Sequence, residues 1–119
     1  MPRFHFLNGR TFDIPDACWS VASNFVPSSP AYKFDRRFDA PLVRVDAIDP
    51  PSSEGRLILG PGGLDQARMR SVLTAIASGM ELPPVTVTEI ANGYDLLEGF
   101  HRLHASLALG FSHIPACVR

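Results

Sequence analysis

A glycine followed within three residues by two basic side chains is the stretch of this chain with the clearest capacity for chemistry. Gly99, Phe100, His101 and Arg102 stand where a short strand pattern changes into a helical one. A helix start favours an anion through its outward N–H groups and its dipole, and a glycine lets a ligand approach the main chain. Because cations are unfavourable there, His101 and Arg102 indicate an anionic ligand. The alternative is a plain turn with a solvated arginine and a surface histidine, which so short a motif does not exclude.

Other titratable side chains lie beside this motif. Glu98 precedes the glycine and is a candidate catalytic residue, because a carboxylate near bound phosphates can hold Mg²⁺ or orient a nucleophile. It could equally repel the anion. His101 and His104 lie three residues apart on one predicted helix face. No third ligand at useful spacing is visible, so no metal site is predicted.

Apolar periodicity predicts the elements that must position the motif. A strand over residues 94–97 leads through Gly99 into a helix that begins near His101 and ends at Gly110, a typical C-cap. A second helix is predicted over residues 65–78, with Asp65 as its N-cap. Its apolar face consists of Met69, Val72, Leu73 and Ile76.

Residues 3–14 carry a clear β-hairpin pattern around Asn8-Gly9. A two-residue loop would pair Leu7 with Arg10. A three-residue loop over residues 7–9 pairs Phe4 with Phe12 instead. We predict the three-residue loop, because burying the face that it creates contributes several kcal/mol at roughly 25 cal/mol per Å². That face consists of Phe4, Phe6, Phe12 and Ile14, with His5 and Thr11 on the other side.

The segments between hairpin and motif are predicted from their turn residues and apolar spacing. Residues 15–25 read as a helix, residues 27–40 as a solvated loop and residues 41–48 as a strand. Residues 49–63 are rich in proline and glycine, as loops that close over ligands often are, and Arg56 is a candidate for closing over a phosphate. Lys33, Arg36 and Arg37 could reach an anion, but the interleaved Asp35 and Asp39 favour solvent.

Composition bounds the class of protein. The chain has 119 residues, which predicts a single domain, and a net charge of −1. Without a run of Lys and Arg, direct sequence-specific or non-specific DNA binding is not expected. No apolar run suits a membrane span and no signal peptide is visible, which predicts a soluble, cytoplasmic protein. Cys18 and Cys117 lack metal spacing and are expected to be reduced thiols.

The order of the motifs resembles the ParB/sulfiredoxin superfamily. The order is Leu-Pro-Pro-Val-Thr-Val at 82–87, a hairpin at Asn92-Gly93, Tyr-Asp-Leu-Leu-Glu-Gly-Phe-His-Arg at 94–102, and Ala-Leu-Gly-Phe-Ser-His-Ile-Pro at 108–115. In that family a Gly-X-X-Arg loop before the helix binds nucleotide phosphates. The resemblance covers about residues 41–118. It implies that Gly99, Phe100, His101 and Arg102 bind the cofactor, ATP or CTP with Mg²⁺. It also implies that Arg68, on the helix beside the nucleotide, contacts it.

The departures from the family pattern restrict the chemistry. Phe100 stands where sulfiredoxins have their catalytic Cys, so sulfinic acid reduction is not expected. The chromosome-partitioning proteins have Gly-Glu-Arg-Arg here, and the Glu linked to metal and nucleotide turnover is absent, which argues against CTP hydrolysis. The sequence ends at Arg119, directly after the Ile-Pro strand, so no helix-turn-helix is expected.

We therefore predict an α/β (α+β) domain: a small mixed sheet with packed helices over residues 41–119, preceded by an N-terminal hairpin and helix within residues 1–40. The first functional hypothesis is binding of a nucleotide or another phosphorylated small molecule at residues 99–102, with phosphoryl transfer as an extension. The second is a non-catalytic ParB-like module that has lost the chemistry and binds a protein partner.

Overall fold

The computed structural model describes residues 2–6, 9, 11–49 and 65–119. These residues form a mixed α+β structure, as predicted. The strands are β1 (Arg3–His5), β2 (Thr11–Asp13), β3 (Leu42–Arg44), β4 (Ile48–Asp49), β5 (Val85–Ile90), β6 (Gly93–Glu98) and β7 (His113–Val118); the helices are α1 (Asp16–Trp19), α2 (Gln66–Ala77) and α3 (Phe100–Leu109). No helix among the described residues is long and apolar enough to cross a membrane. The predicted loop over residues 49–63, with Arg56, lies outside the described ranges except for Asp49.

The main sheet has five strands in the order β3-β7-β5-β6-β4. β3 pairs antiparallel with β7 and β5 antiparallel with β6, whereas β5–β7 and β4–β6 are parallel. β3 and β4 lie at opposite ends of this order, although only a 3₁₀ turn, Val45–Ala47, separates them. The edges of a flat sheet of this size would lie about 19 Å apart. The chain from Arg44 to Ile48 spans at most about 14 Å, so the sheet must curl.

The prediction of one strand over residues 41–48 is therefore wrong in detail. The segment contributes two short strands, one to each end of the sheet. The apolar residues Val43, Val45 and Ile48 are all buried. The turn between the strands carries the chain from one edge of the curled sheet to the other, a requirement that local alternation does not reveal.

The N-terminal hairpin has the predicted register. Phe4 pairs with Phe12, and His5 pairs with Thr11. Gly9 has φ of 88°, and its N–H donates to the Phe6 carbonyl at 3.0 Å, which closes the three-residue loop. Phe6, Phe12 and Ile14 are buried and Phe4 is half-buried, while His5 and Thr11 are exposed.

The buried face of the hairpin packs on α3. The ring centroids of Phe6 and Phe12 lie 5.0 Å and 4.7 Å from that of His104. Trp19 of α1 lies against Phe4 at 5.1 Å. The hairpin and α1 thus extend the apolar core that lies between α3 and the sheet.

The first helix is shorter than predicted. α1 ends at Trp19, and hydrogen-bonded turns continue the chain to Phe25. Two serine hydroxyls in these turns bond to main-chain carbonyls, Ser20 to Ala17 and Ser23 to Ser20. Serine side chains compete in this way with the helical pattern, which explains the early end.

The prediction of a solvated loop over residues 27–40 is wrong for its middle. Ala31, Tyr32 and Phe34 are buried. The basic side chains are exposed, as expected, and Arg37 forms a surface salt bridge with Asp35. The burial of Ala31, Tyr32 and Phe34 depends on contacts with parts of the chain that are distant in sequence, such as Leu82 and His113, so it leaves no local signal.

The helix predicted over residues 65–78 is confirmed as α2. Asp65 is its N-cap, and its carboxylate accepts the N–H of Arg68 at 3.0 Å. Met69, Leu73 and Ile76 are buried, and Val72 is half-buried. The N–H of Asp65 also donates to Nε2 of His101 at 2.9 Å, which holds the start of α2 beside the start of α3.

The length of the chain predicts that it unfolds as a single cooperative unit, and a substitution in the hairpin tests this. Phe12→Ala should lower the free energy of unfolding by about 3–5 kcal/mol, because it removes a buried ring from the contact with α3. Phe38→Ala is the control, since that ring is 46% exposed and its loss should cost less than about 1 kcal/mol. Urea unfolding followed by far-UV circular dichroism and tryptophan fluorescence should give coincident transitions. Separate transitions would contradict the single-domain prediction.

Candidate functional site

The predicted motif lies at the turn from β6 into α3. Gly99 has φ of 109° and ψ of 33°, which is left-handed and costly for any residue with a Cβ. A Cβ at this position would lie 2.4 Å from Cγ1 of Val85. The helix begins at Phe100, and the N–H of Leu103 donates to the Gly99 carbonyl at 2.9 Å. The turn therefore requires glycine, and it places the start of α3 directly over β5.

A cavity of about 350 Å³ opens at this helix start. Its walls come from the end of β6, the first turn of α3 and the early part of α2. It is lined by Arg68, Val72, Leu97, Glu98, Gly99, Phe100, His101 and Arg102. The predicted residues Glu98, Gly99, Phe100, His101 and Arg102 are in this set together with Arg68, which is about thirty positions away in the sequence, whereas the candidate Arg56 lies outside the described residues. Val72 and Leu97 were missed, because nothing in their local pattern distinguishes them from core residues.

Arg102 is half-buried beside the cavity. One terminal nitrogen, Nη2, donates to the Pro84 carbonyl at 3.4 Å. Its Nε is buried and has no hydrogen-bond partner among the described residues. None of the salt bridges in the described part of the chain involves Arg102. The guanidinium is thus held at one side while its charge is not neutralised by a carboxylate.

His101 has a structural contact at one ring nitrogen. The side chain is 6% exposed, and its Nε2 accepts the main-chain N–H of Asp65 at 2.9 Å. An accepting nitrogen carries no proton, so in this arrangement Nε2 does not donate to a ligand. This bond joins the first turn of α3 to the N-cap of α2. The sequence pattern predicted that His101 faces the anion. Spacing alone cannot show that its ring nitrogen bonds to the N-cap of a neighbouring helix.

His104 and Phe100 belong to the core. Nδ1 of His104 donates to the Phe100 carbonyl at 2.6 Å, and the centroids of the two rings lie 4.0 Å apart with the rings tilted by 36°. Both side chains are buried. Phe100 therefore offers the cavity its main chain rather than a reactive group. Among the described residues, no three His, Cys, Asp or Glu side chains are grouped so as to hold a metal ion.

Glu98 and Arg68 are exposed at the rim of the cavity. Neither forms a salt bridge within the described ranges. The rim therefore combines two arginines on different helices with one carboxylate. Leu97, which is 55% exposed, adds an apolar surface at the mouth.

A larger groove lies elsewhere. It has a volume of about 740 Å³ and lies between α1 and α2, with Arg70 and Met80 in its lining. It is mostly apolar and contains none of the predicted phosphate-site residues. The cavity at the start of α3 is the smaller of the two, but it is lined by Arg68, Glu98 and Arg102 beside a helix start, so it is the candidate site.

Comparison with known protein families identifies the family of this chain. Residues 44–119 match the ParB N-terminal domain. The chain belongs to this family. Residues 1–43, which include the hairpin, α1 and the buried segment at 31–34, lie outside the match. The curated proteins include no match to this chain.

The fold of the ParB N-terminal domain found here is shared with sulfiredoxin. The crystal structure of sulfiredoxin from Arabidopsis thaliana superimposes with a TM-score of 0.50 at 22% sequence identity, covering 66% of this chain and 82% of that one. At this identity the similarity shows the fold alone. The resemblance predicted from the motif order is thus confirmed, while the roles of the site residues remain predictions.

The contact at Gly99 can be tested against another left-handed glycine. Gly99→Ala should destabilise the protein by about 2–4 kcal/mol, because the strain of a positive φ adds to a clash with Val85. Gly79 has φ of 73° with no atom near its Cβ position, so Gly79→Ala should cost only about 1–2 kcal/mol. Urea denaturation measures both. Equal losses would mean that the Val85 contact yields without cost.

Proposed function

We propose that the cavity at the start of α3 binds the phosphate groups of a nucleotide or another phosphorylated small molecule. The observation that carries the proposal is Arg102, a half-buried arginine beside a helix start, with a buried Nε–H that no described residue accepts. An unsatisfied buried donor is costly. A phosphate oxygen is the acceptor that arginine binds most readily.

The surroundings of Arg102 favour the same ligand. The positive end of the α3 dipole points into the cavity, and the left-handed Gly99 presents main chain without a side chain in the way. Arg68 adds a second cation from α2 at the rim. Membership of the ParB N-terminal domain family supports the proposal, as does the expectation from the motif that this loop binds nucleotide phosphates.

Phosphoryl transfer is the extension of this proposal. ATP or CTP would transfer its terminal phosphoryl group to a small acceptor and leave as the nucleoside diphosphate, and Glu98 at the rim would hold Mg²⁺ or orient the acceptor. Phe100 carries no nucleophile, so neither a thiol nor a carboxylate at that position takes part. Transfer would then depend on positioning and charge, which are the main sources of catalysis in this chemistry. The cytoplasm, where nucleotides are abundant, is the location that this function implies.

A second function rests on a different observation. Leu97 is a large apolar side chain left 55% exposed at the mouth of the cavity, and the side chain at position 100 is committed to the core. A ParB-like module without chemistry would use this surface to bind a protein partner. The two functions make opposite predictions for nucleotides, so one titration separates them.

Nucleotide binding should depend on Arg102. A thermal-shift screen of ATP, ADP, CTP and GTP, with and without Mg²⁺, selects the ligand, and calorimetry measures its Kd. Arg102→Ala should weaken binding by about ten- to a hundredfold, because a charge-assisted contact is lost. Arg68→Ala should weaken it by about two- to fivefold, since that side chain is exposed.

Two variants make this result interpretable. Arg70→Ala removes an arginine of the same helix as Arg68 that lines the other groove, so its affinity should equal that of the wild type. Arg102→Lys keeps the charge without the planar fork and should bind with intermediate affinity. An absence of binding by the wild-type protein to any phosphorylated ligand would refute the proposed function and favour the protein-interaction module.

The role of Glu98 is tested by the dependence on Mg²⁺. If Glu98 holds the ion, Glu98→Gln should abolish the increase in nucleotide affinity that Mg²⁺ produces and any release of the nucleoside diphosphate. Calorimetry with and without Mg²⁺ measures the first effect, and chromatography of the products the second. Tighter binding by Glu98→Gln in the absence of Mg²⁺, with no effect of the ion on the wild type, would instead identify Glu98 as a repulsive charge.

A further inference from the structure

The segment of residues 30–34 lies outside the family match but is bonded to the chain within it. Its main chain is bonded on both sides: the N–H of Leu82 donates to the Lys33 carbonyl at 3.0 Å, and the N–H of His113 donates to the Pro30 carbonyl at 2.9 Å. It therefore bridges the chain leading into β5 and the start of β7. Tyr32, in the middle of this bridge, is 2% exposed.

Tyr32 and Arg102 are anchored on adjacent carbonyls. The Tyr32 hydroxyl donates to the Pro83 carbonyl at 2.6 Å, and Nη2 of Arg102 donates to the Pro84 carbonyl at 3.4 Å. Proline has no N–H and a fixed φ, so Pro83 and Pro84 present acceptors on a stiff main chain. The Tyr32 phenol and the Arg102 guanidinium are thereby brought together at the Pro83-Pro84 main chain, although they are far apart in the sequence.

The Tyr32 hydroxyl lies within the electrostatic influence of the guanidinium. Burial raises the pKa of the Tyr32 hydroxyl far above its ordinary value, while the charge of Arg102 and a hydrogen bond from it act in the opposite direction. The phenol is therefore neutral at physiological pH. Its O–H donates to the Pro83 carbonyl, so its oxygen lone pairs remain available to accept a hydrogen bond from Arg102.

Neutral acceptors hold an arginine differently from a carboxylate. A carboxylate would orient the guanidinium but also cancel its charge and compete with an anionic ligand. A phenol oxygen and a carbonyl orient it through dipoles and leave the charge in place. The Pro84 carbonyl is such a partner of Arg102, the Tyr32 phenol is anchored on the adjacent carbonyl, and no salt bridge within the described ranges includes Arg102.

We propose that Tyr32 is a positioning residue for the phosphate site: it fixes the Arg102 guanidinium, together with the Pro84 carbonyl, in the orientation that meets the ligand. This inference rests on the proposed function. Tyr32 itself is not among the residues that line the cavity, so it acts only through Arg102. The N-terminal extension is then part of the site.

The positioning can be measured without any ligand. In ¹⁵N-labelled protein, the Nε–H signal of Arg102, assigned by its loss in Arg102→Lys, should show restricted motion in the heteronuclear NOE. Tyr32→Phe removes only the hydroxyl. In this variant the Arg102 Nε–H signal should show the chemical shift and the fast motion of solvent-exposed arginines. Tyr94→Phe removes the other phenol of the chain and should leave the signal unchanged. An ordered Nε–H in Tyr32→Phe would overturn the proposal.

A double-mutant cycle on the nucleotide selected by the screen gives the functional test. Tyr32→Phe should weaken binding by about three- to tenfold, the value of a single hydrogen bond. In the Arg102→Ala background the same change should have no effect, because Tyr32 acts through Arg102. A residue with a merely structural role would lower the melting temperature alone and leave the affinity of the folded protein unchanged, which would overturn the proposal.

The two proposals fail in different ways. If the wild-type protein binds no phosphorylated ligand, the proposed function is wrong, and the proposed role of Tyr32 toward a ligand is lost with it, while the NMR comparison still shows whether Tyr32 orders Arg102. If the wild type binds and Arg102→Ala weakens binding, but Tyr32→Phe binds equally well, the phosphate site stands and the positioning role is wrong.

Discussion

The approach of the main chain at Gly99 to Val85 is the contact on which the rest of the site depends. A Cβ at residue 99 would lie 2.4 Å from the Val85 side chain, so α3 can begin this close to β5 only after a glycine. That closeness lets Arg102, in the first turn of α3, reach the carbonyl of Pro84 at the foot of β5. A wider turn would move the helix start away from the sheet, and Arg102 would then lose its contact with the Pro84 carbonyl.

The second constraint joins the two helices that carry the arginines. The bond from the Asp65 N–H to Nε2 of His101 fixes the N-cap of α2 against the first turn of α3. An imidazole performs this task well, because its unprotonated nitrogen accepts an N–H without adding charge. Arg68 thereby stays within reach of the cavity although it is far from Arg102 in the sequence. His101 of the motif thus contributes to the geometry of the site through its bond to the main chain of Asp65.

The sequence predicts most of what is local and little of what depends on closure of the sheet. The hairpin register followed from the spacing of Phe4 and Phe12, and α2 followed from its apolar face and from Asp65, because these patterns are contained in one element. The division of residues 41–48 between two sheet edges and the burial of Tyr32 depend on how distant strands curl together, which short-range periodicity does not encode. The motif order identified the family and the residues around the cavity. The motif order could not predict that His101 contacts the main chain of Asp65 whereas Arg102 contacts the Pro84 carbonyl, because neighbouring elements supply both partners.

The energetics of Arg102 connect the fold to the ligand. An unsatisfied buried donor costs about 1–3 kcal/mol, a large part of a typical stability of about 5–15 kcal/mol, and the Nε of Arg102 is such a donor among the described residues. A carboxylate placed beside it would recover that free energy in the unliganded protein and would leave nothing for an anion to gain. Tyr32 and Pro84 are neutral, so they orient the guanidinium without satisfying its charge. A phosphate oxygen that reaches Nε would recover the cost on binding, and the same arrangement that lowers the stability of the empty protein would then strengthen its hold on the ligand.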